Sequence, residues 1–189
     1  MLLGDRIRMG YQEAVRTQLA ETARVWGPPA SCGSTRDMLG RLKRWVLDID
    51  PPPDVVYFNC GLEDLVKRAA TGEPAVPLSV YEDNLLQILG TIREHTAATV
   101  LVAATTPVSY QQQLYADREC IWVYDEADVP IYNDILIRVA GSLAMPVDDL
   151  YQVVTTADEI LLSEDGVLLT PAGYEVLGGH VAETVSRYL

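Results

Sequence analysis

Short, largely apolar runs alternate along this chain with longer stretches in which apolar residues recur every third or fourth position. Residues 1–3, 24–26, 55–58, 99–103 and 147–150 read as strands, of which 1–3 and 55–58 are wholly apolar. Val55, Val56, Tyr57 and Phe58 are β-branched or aromatic without a polar interruption, which predicts a central strand covered on both faces, as in parallel sheets. Between the runs the period changes to that of a helix. Residues 10–23 carry Tyr11, Val15, Leu19 and Thr22 at helical spacing, and Thr35 is placed to cap a helix through Met38, Leu39, Leu42, Trp45 and Val46. Three consecutive prolines from Pro51 end that helix.

Ser79 and Glu82 have capping-box spacing ahead of Tyr81, Leu85, Ile88, Leu89 and Ile92. Asp128 and Pro130 open a further helix, and Thr170-Pro171 starts a terminal one with Tyr174, Leu177, Val181 and Val185 turned inward. Residues 104–124, rich in Gln and Tyr, read as one long loop, a length that usually carries function or motion. The pattern predicts an α/β fold, a three-layer α/β/α sandwich with about five parallel strands in the order 2-1-3-4-5. Residues 1–189 are expected to form a single domain. In such sheets, sites lie beyond the carboxyl ends of the strands, where the strand order reverses. The turns at Gly4-Asp5-Arg6 and Gly61-Leu62-Glu63-Asp64 follow the first and the central strand, so they are expected to face each other across that crevice.

Composition narrows the partners. Fourteen Lys and Arg against 27 Asp and Glu give a net charge of −13, which repels a phosphate backbone and an anionic membrane surface, so neither nucleic acid nor membrane is expected. No apolar run reaches the roughly 18 residues of a membrane span. The first strand begins at Met1 with no leader-like stretch ahead of it, which gives a cytoplasmic expectation. Cys32, Cys60 and Cys120 form no CxxC pair, and only His95 and His180 could assist them. Neither a zinc site nor a disulfide framework is therefore expected, and the chain is read as needing no metal or cofactor.

The turns carry a second pattern. Gly4-Asp5-Arg6, Cys32-Gly33-Ser34-Thr35, Gly61-Leu62-Glu63-Asp64 and Asp165-Gly166-Val167-Leu168, the last followed by Leu-Thr-Pro-x-Gly-Tyr, stand in the order and spacing of the motif blocks of the SGNH, or GDSL-type, esterases and lipases. The chain resembles that family over nearly its whole length. The resemblance implies a Gly-Asp-Ser nucleophile turn, a glycine N–H at the oxyanion, a Gly-x-Asn-Asp turn and an Asp-x-x-His dyad. Here Arg6 stands at the serine, Gly33 matches the glycine, Glu63 stands at the asparagine and Leu168 at the histidine.

Arg6 brings neither a hydroxyl nor an acceptor, and Leu168 moves no proton, so acyl transfer by a serine and a histidine is not expected. Losing the nucleophile of such a unit costs on the order of a millionfold in rate. An ionised Glu63 would also repel the charge that an oxyanion hole stabilises.

Two functional classes remain. One is a repurposed enzyme working by acid–base and electrostatic chemistry on a small organic molecule: an isomerase, cyclase, lyase or non-serine hydrolase. Its proton carrier would be Glu63, its pKa raised by burial and by Asp64 and Asp5, with Arg6 clamping an anion or carbonyl and Asp5 or Asp165 assisting. The substrate would meet Gly33, Ser34, Gly61, Thr105, Tyr110 and Leu168. The alternative is a non-catalytic relative that binds a small ligand or a protein, with Arg6 and Glu63 plugging the crevice. Residual esterase activity is a third reading.

Tyr110, Tyr115, Tyr124 and Tyr132 would line or cover the pocket, and Thr105, Thr106 and Pro107 would form its rim. Asp165 doubles as a candidate cap for the terminal helix. Cys32 and Cys60 lie beside the motif turns with no histidine placed to activate them, and both histidines read as packing or surface residues. A homo-oligomer is left open.

Overall fold

Four parallel strands are built from the apolar runs: β1 (Leu2–Gly4), β2 (Val55–Asn59), β4 (Thr99–Ala103) and β6 (Val147–Asp148) lie side by side in the order β1-β2-β4-β6. The computed structural model describes the backbone of residues 1–116 and 121–189, and the side chains of all of these except 114–116. In β2 all five residues are buried, because helices cover both faces of the sheet. On one face pack α1 (Arg6–Gln18) and α8 (Pro171–Ser186). They approach closely at Gly178, where a Cβ would stand 2.5 Å from that of Ala14. α2 (Thr35–Leu42), continued by a π-helical turn (Lys43–Leu47), joins α4 (Leu78–His95) and α6 (Asp128–Ser142) in the rest of the helical cover. The fold is the three-layer α/β/α arrangement that the alternation of periods predicts.

The expected fifth strand is absent among the described residues. Residues 24–26 run beside β1 but give it a single backbone hydrogen bond, from Leu2 N–H to the Trp26 carbonyl at 2.8 Å, so no ladder forms there. The remaining order agrees with 2-1-3-4-5 once that strand is removed. The segment read as one long loop holds α5 (Tyr110–Ala116) and β5 (Trp122–Val123), the latter antiparallel to β3 (Lys67–Arg68). Between β2 and β3 a single turn, α3 (Leu62–Leu65), is held in place, and α7 (Leu150–Thr155) begins where the last strand was expected to continue.

Local caps also differ from expectation. α1 starts at Arg6, four residues early, because Asp5 accepts the Ile7 N–H. The cap of α2 is Ser34, in a reciprocal box with Asp37, and Thr35 is the first helical residue. At α4 the Ser79/Glu82 box does not form: the helix begins after Pro77, and Glu82 instead accepts a bidentate pair from Arg138 of α6. No helix among the described residues is long and apolar enough to cross a membrane.

Candidate functional site

The turns after β1 and β2 meet, as their positions in the sequence require. Asp5 is fully buried and joins them: one carboxylate oxygen accepts the Ile7 N–H at 2.9 Å and the other the Leu62 N–H at 3.2 Å, so one side chain caps both α1 and α3. Burial pushes its pKa up to about 7 against the pull of those two hydrogen bonds, and the charge of Glu63 pushes the same way. Asp64, one turn on, is equally enclosed. It accepts the Thr35 N–H at 3.0 Å and the Thr35 hydroxyl at 2.5 Å, tying the start of α2 to the same centre. Burial lifts this carboxyl to about 7 as well, with the Thr35 hydrogen bonds opposing.

Above this buried floor lies an ion pair. Arg6 donates from Nε to Glu63 Oε1 at 2.5 Å and from a terminal nitrogen to the Tyr124 hydroxyl. Although burial opposes it, the surroundings of Tyr124 and Glu63 hold the Arg6 guanidinium firmly charged. Tyr124 is fixed in turn by Gln113, whose side-chain amide accepts the Tyr124 N–H at 2.8 Å and donates to the Tyr124 carbonyl at 2.9 Å. The strap from α5 to β5 is thereby buttoned to the first motif turn.

Asp165 belongs to the same neighbourhood. Burial would raise its carboxyl, but the Ser163 hydroxyl and the Val167 and Leu168 N–H groups, at 2.6, 2.8 and 2.8 Å, together with the positive charge of Arg6, hold it below its ordinary value. These bonds shape the turn at residues 165–168. The cap of the terminal helix is Thr170, not Asp165.

Other candidate residues stand elsewhere than expected. Gly33 has a left-handed backbone (φ +70°), and its N–H, expected at an oxyanion, donates to Ser31 Oγ at 3.1 Å. Ser34 is occupied by its capping box. Gly61 is buried at the head of α3, and a Cβ there would meet the Tyr81 hydroxyl at 3.2 Å and Thr105 at 3.5 Å. Thr105 and Thr106 are buried rather than on the rim, and among the described residues neither hydroxyl has a hydrogen-bond partner.

Leu168 is half-buried against the core, and Tyr110 lies on the surface. Tyr132 is buried against Tyr81 and donates to the Val76 carbonyl at 2.6 Å. The Tyr115 side chain and Cys120 lie outside the described residues. Cys32 and Cys60 are free and buried, and burial pushes both thiols up, away from the thiolate that a nucleophile requires.

Three features escaped the sequence reading. Arg8 is fully buried and, among the described residues, makes no ion pair. It donates to the Pro28 and Ala30 carbonyls at 2.9 and 2.6 Å and so pins the loop that leads to Gly33. Gln113 clamps Tyr124 as described. His180, read as a packing residue, stands 2.6 Å from Asp148, whose other oxygen accepts the Tyr57 hydroxyl at 2.6 Å. Arg8 also donates to Gln12 one helical turn on, but the contacts that pin the loop, and those of Gln113 and His180, span 20 or more, 11 and 32 or more residues and leave no local signal.

The structure is a parallel sheet between helical layers, with the turns after β1 and β2 joined at the carboxyl ends of its strands. The fold is indeed that of the GDSL-like lipases and acylhydrolases. It is shared with a lipase/acylhydrolase from Enterococcus faecalis at 20% identity, covering 98% of this chain and 94% of that one with a TM-score of 0.74. A GDSL-like lipase from Bacteroides thetaiotaomicron is similar at 17% identity, 100% and 87% coverage and a TM-score of 0.76. An acetylxylan esterase from Geobacillus stearothermophilus is similar at 17% identity, 97% and 92% coverage and a TM-score of 0.75. No family model matches the chain, and no curated protein matches it in sequence.

Proposed function

We propose that this protein is a non-catalytic member of the SGNH hydrolase family, its old esterase crevice closed by its own side chains and its role one of binding. The observation that carries this reading is the Arg6–Glu63–Tyr124 bridge. A guanidinium that is to clamp a substrate anion needs free donors, and a carboxylate that is to move a proton needs an open face. Here each is turned toward the other, and the tyrosine takes a further donor. The Gly33 N–H, the expected oxyanion donor, is spent on Ser31.

The repurposed acid–base enzyme stands as the second reading, favoured by one observation: the Asp5 carboxyl, directly behind Arg6, is poised at about 7, where a general acid or base works best. Against it, both Asp5 oxygens already accept backbone N–H groups. The test is hydrolysis of short-chain acyl esters and acetylated sugars by the wild type and by the triple variant Arg6→Ser, Glu63→Asn, Leu168→His. The non-catalytic reading expects no wild-type turnover above background and a gain in the triple variant. Wild-type turnover that disappears in Glu63→Ala or Asp5→Asn would overturn it in favour of the enzyme.

A further inference from the structure

A cavity of about 680 Å³ opens at the opposite end of the sheet from the motif turns, within the size range of small-molecule sites. Its floor is core: Leu2, Val15, Leu19, Val55 and Val185 reach it from β1, α1, β2 and α8, and each is buried. One wall is the segment 24–26, which gives β1 a single backbone hydrogen bond and brings Val25 and Trp26 to the cavity. The facing wall is the proline run that precedes β2. A hydrophobic floor of this kind gains by exchanging water for hydrocarbon, at roughly 25 cal/mol for each Å² covered.

Three charged side chains line the cavity, Arg24 on the first wall and Asp50 and Asp54 on the second, and the Met1 amino group, which donates to the Val55 carbonyl at 2.7 Å, feels the charge of Asp54. Among the described residues none of the three has an ion-pair partner. Burial lowers the Met1 ammonium to about 6, so at neutral pH the two carboxylates outnumber the one firm cation, Arg24, and with −13 on the chain as a whole an anionic head group is opposed both locally and at long range. Apolar depth beneath an acidic mouth is complementary to a molecule with a hydrocarbon body and a positive end.

We propose that this cavity is a binding site for a lipophilic amine, with the hydrocarbon part against Leu19 and Val185 and the ammonium beside Asp50 and Asp54. The site is independent of the crevice and of whether the crevice is catalytic.

The experiment compares octylamine, octan-1-ol and octanoate at equal concentration and low salt, read by calorimetry and by the fluorescence of Trp26 in a Trp45→Phe, Trp122→Phe background. The expected result is saturable octylamine binding with a shift in Trp26 emission, and octanoate weaker by about tenfold or more. The double change Asp50→Asn, Asp54→Asn brings the amine down to the level of the alcohol, and Leu19→Trp, which fills the floor, abolishes binding. Octanoate binding as well as octylamine, no wild-type binding, or an unchanged affinity in a folded Leu19→Trp variant would overturn the proposal. Should Leu19→Trp fail to fold, an octylamine signal that leaves Trp26 emission unmoved overturns it equally. The ester assays above read the other end of the sheet, so failure of either proposal leaves the other standing.

Discussion

The two ends of the sheet differ in how their side chains are satisfied. At the carboxyl ends of the strands, buried carboxylates accept backbone N–H groups from neighbouring turns, and the charges above them find one another: Asp5 on Ile7 and Leu62, Asp64 on Thr35, Glu63 on Arg6. At the amino ends, apolar side chains line a cavity, and among the described residues Arg24, Asp50 and Asp54 make no ion pair. Polar networks of the first kind rigidify and specify, since each unmet group inside a protein is costly. Open apolar space carries no such constraint and remains available to a visitor.

The contrast is tested most severely by Asp64→Ala, which strips the Thr35 N–H and hydroxyl of their shared acceptor inside the core. A loss of about 2 to 4 kcal/mol in the free energy of unfolding is expected by urea denaturation. An effect below 1 kcal/mol would mean that the carboxyl-end network is not what holds the turns.

A pH series tests the same network without a mutation at the outset. Asp5 and Asp64 have folded-state pKa values of about 7, above the roughly 3.9 of an unfolded aspartate. Between those values the folded chain holds more protons than the unfolded one, so their contribution to stability is full below about pH 4 and declines as pH rises through 7. Wild-type stability should therefore fall between pH 5.5 and 8 by about 2 kcal/mol more than that of Asp5→Asn. Equal slopes in the two proteins would show that Asp5 ionises as freely when folded as when unfolded.

The smallest effect belongs to the ion pair itself. Arg6 is 43% exposed and Glu63 23%, so solvent screens them, and Glu63→Gln should change stability by no more than about 1 kcal/mol. A larger loss would make the bridge a structural member rather than a plug over the crevice.

What the sequence disclosed follows from how local each signal is. Periodicity located β2, β4, α6 and α8, because a strand buried on both faces and a one-sided helix write their patterns into consecutive residues. The meeting of Asp5, Arg6 and Glu63 was legible too, since strand order places the turns after β1 and β2 together. Where a contact rather than a period decides, the reading failed. Residues 24–26 are apolar enough for a strand, yet they lie off the sheet edge. Residues 110–116 offered no clear rhythm, and the placement of Tyr124 depends on Gln113 gripping its backbone from 11 residues away. Gly33 was matched to an oxyanion donor by motif position, and a serine two residues earlier took its N–H.

The Tyr57–Asp148–His180 chain has a consequence for the order in which the molecule is made. Its members are 91 and 32 residues apart, and they join the central strand to the last strand and the last helix. A nascent chain that has completed every strand still holds Asp148 without its imidazole until α8 emerges from the ribosome. α8 thus closes the sheet after its four strands have been made, and a chain shortened before residue 180 would leave Asp148 with the Tyr57 hydroxyl as its remaining partner.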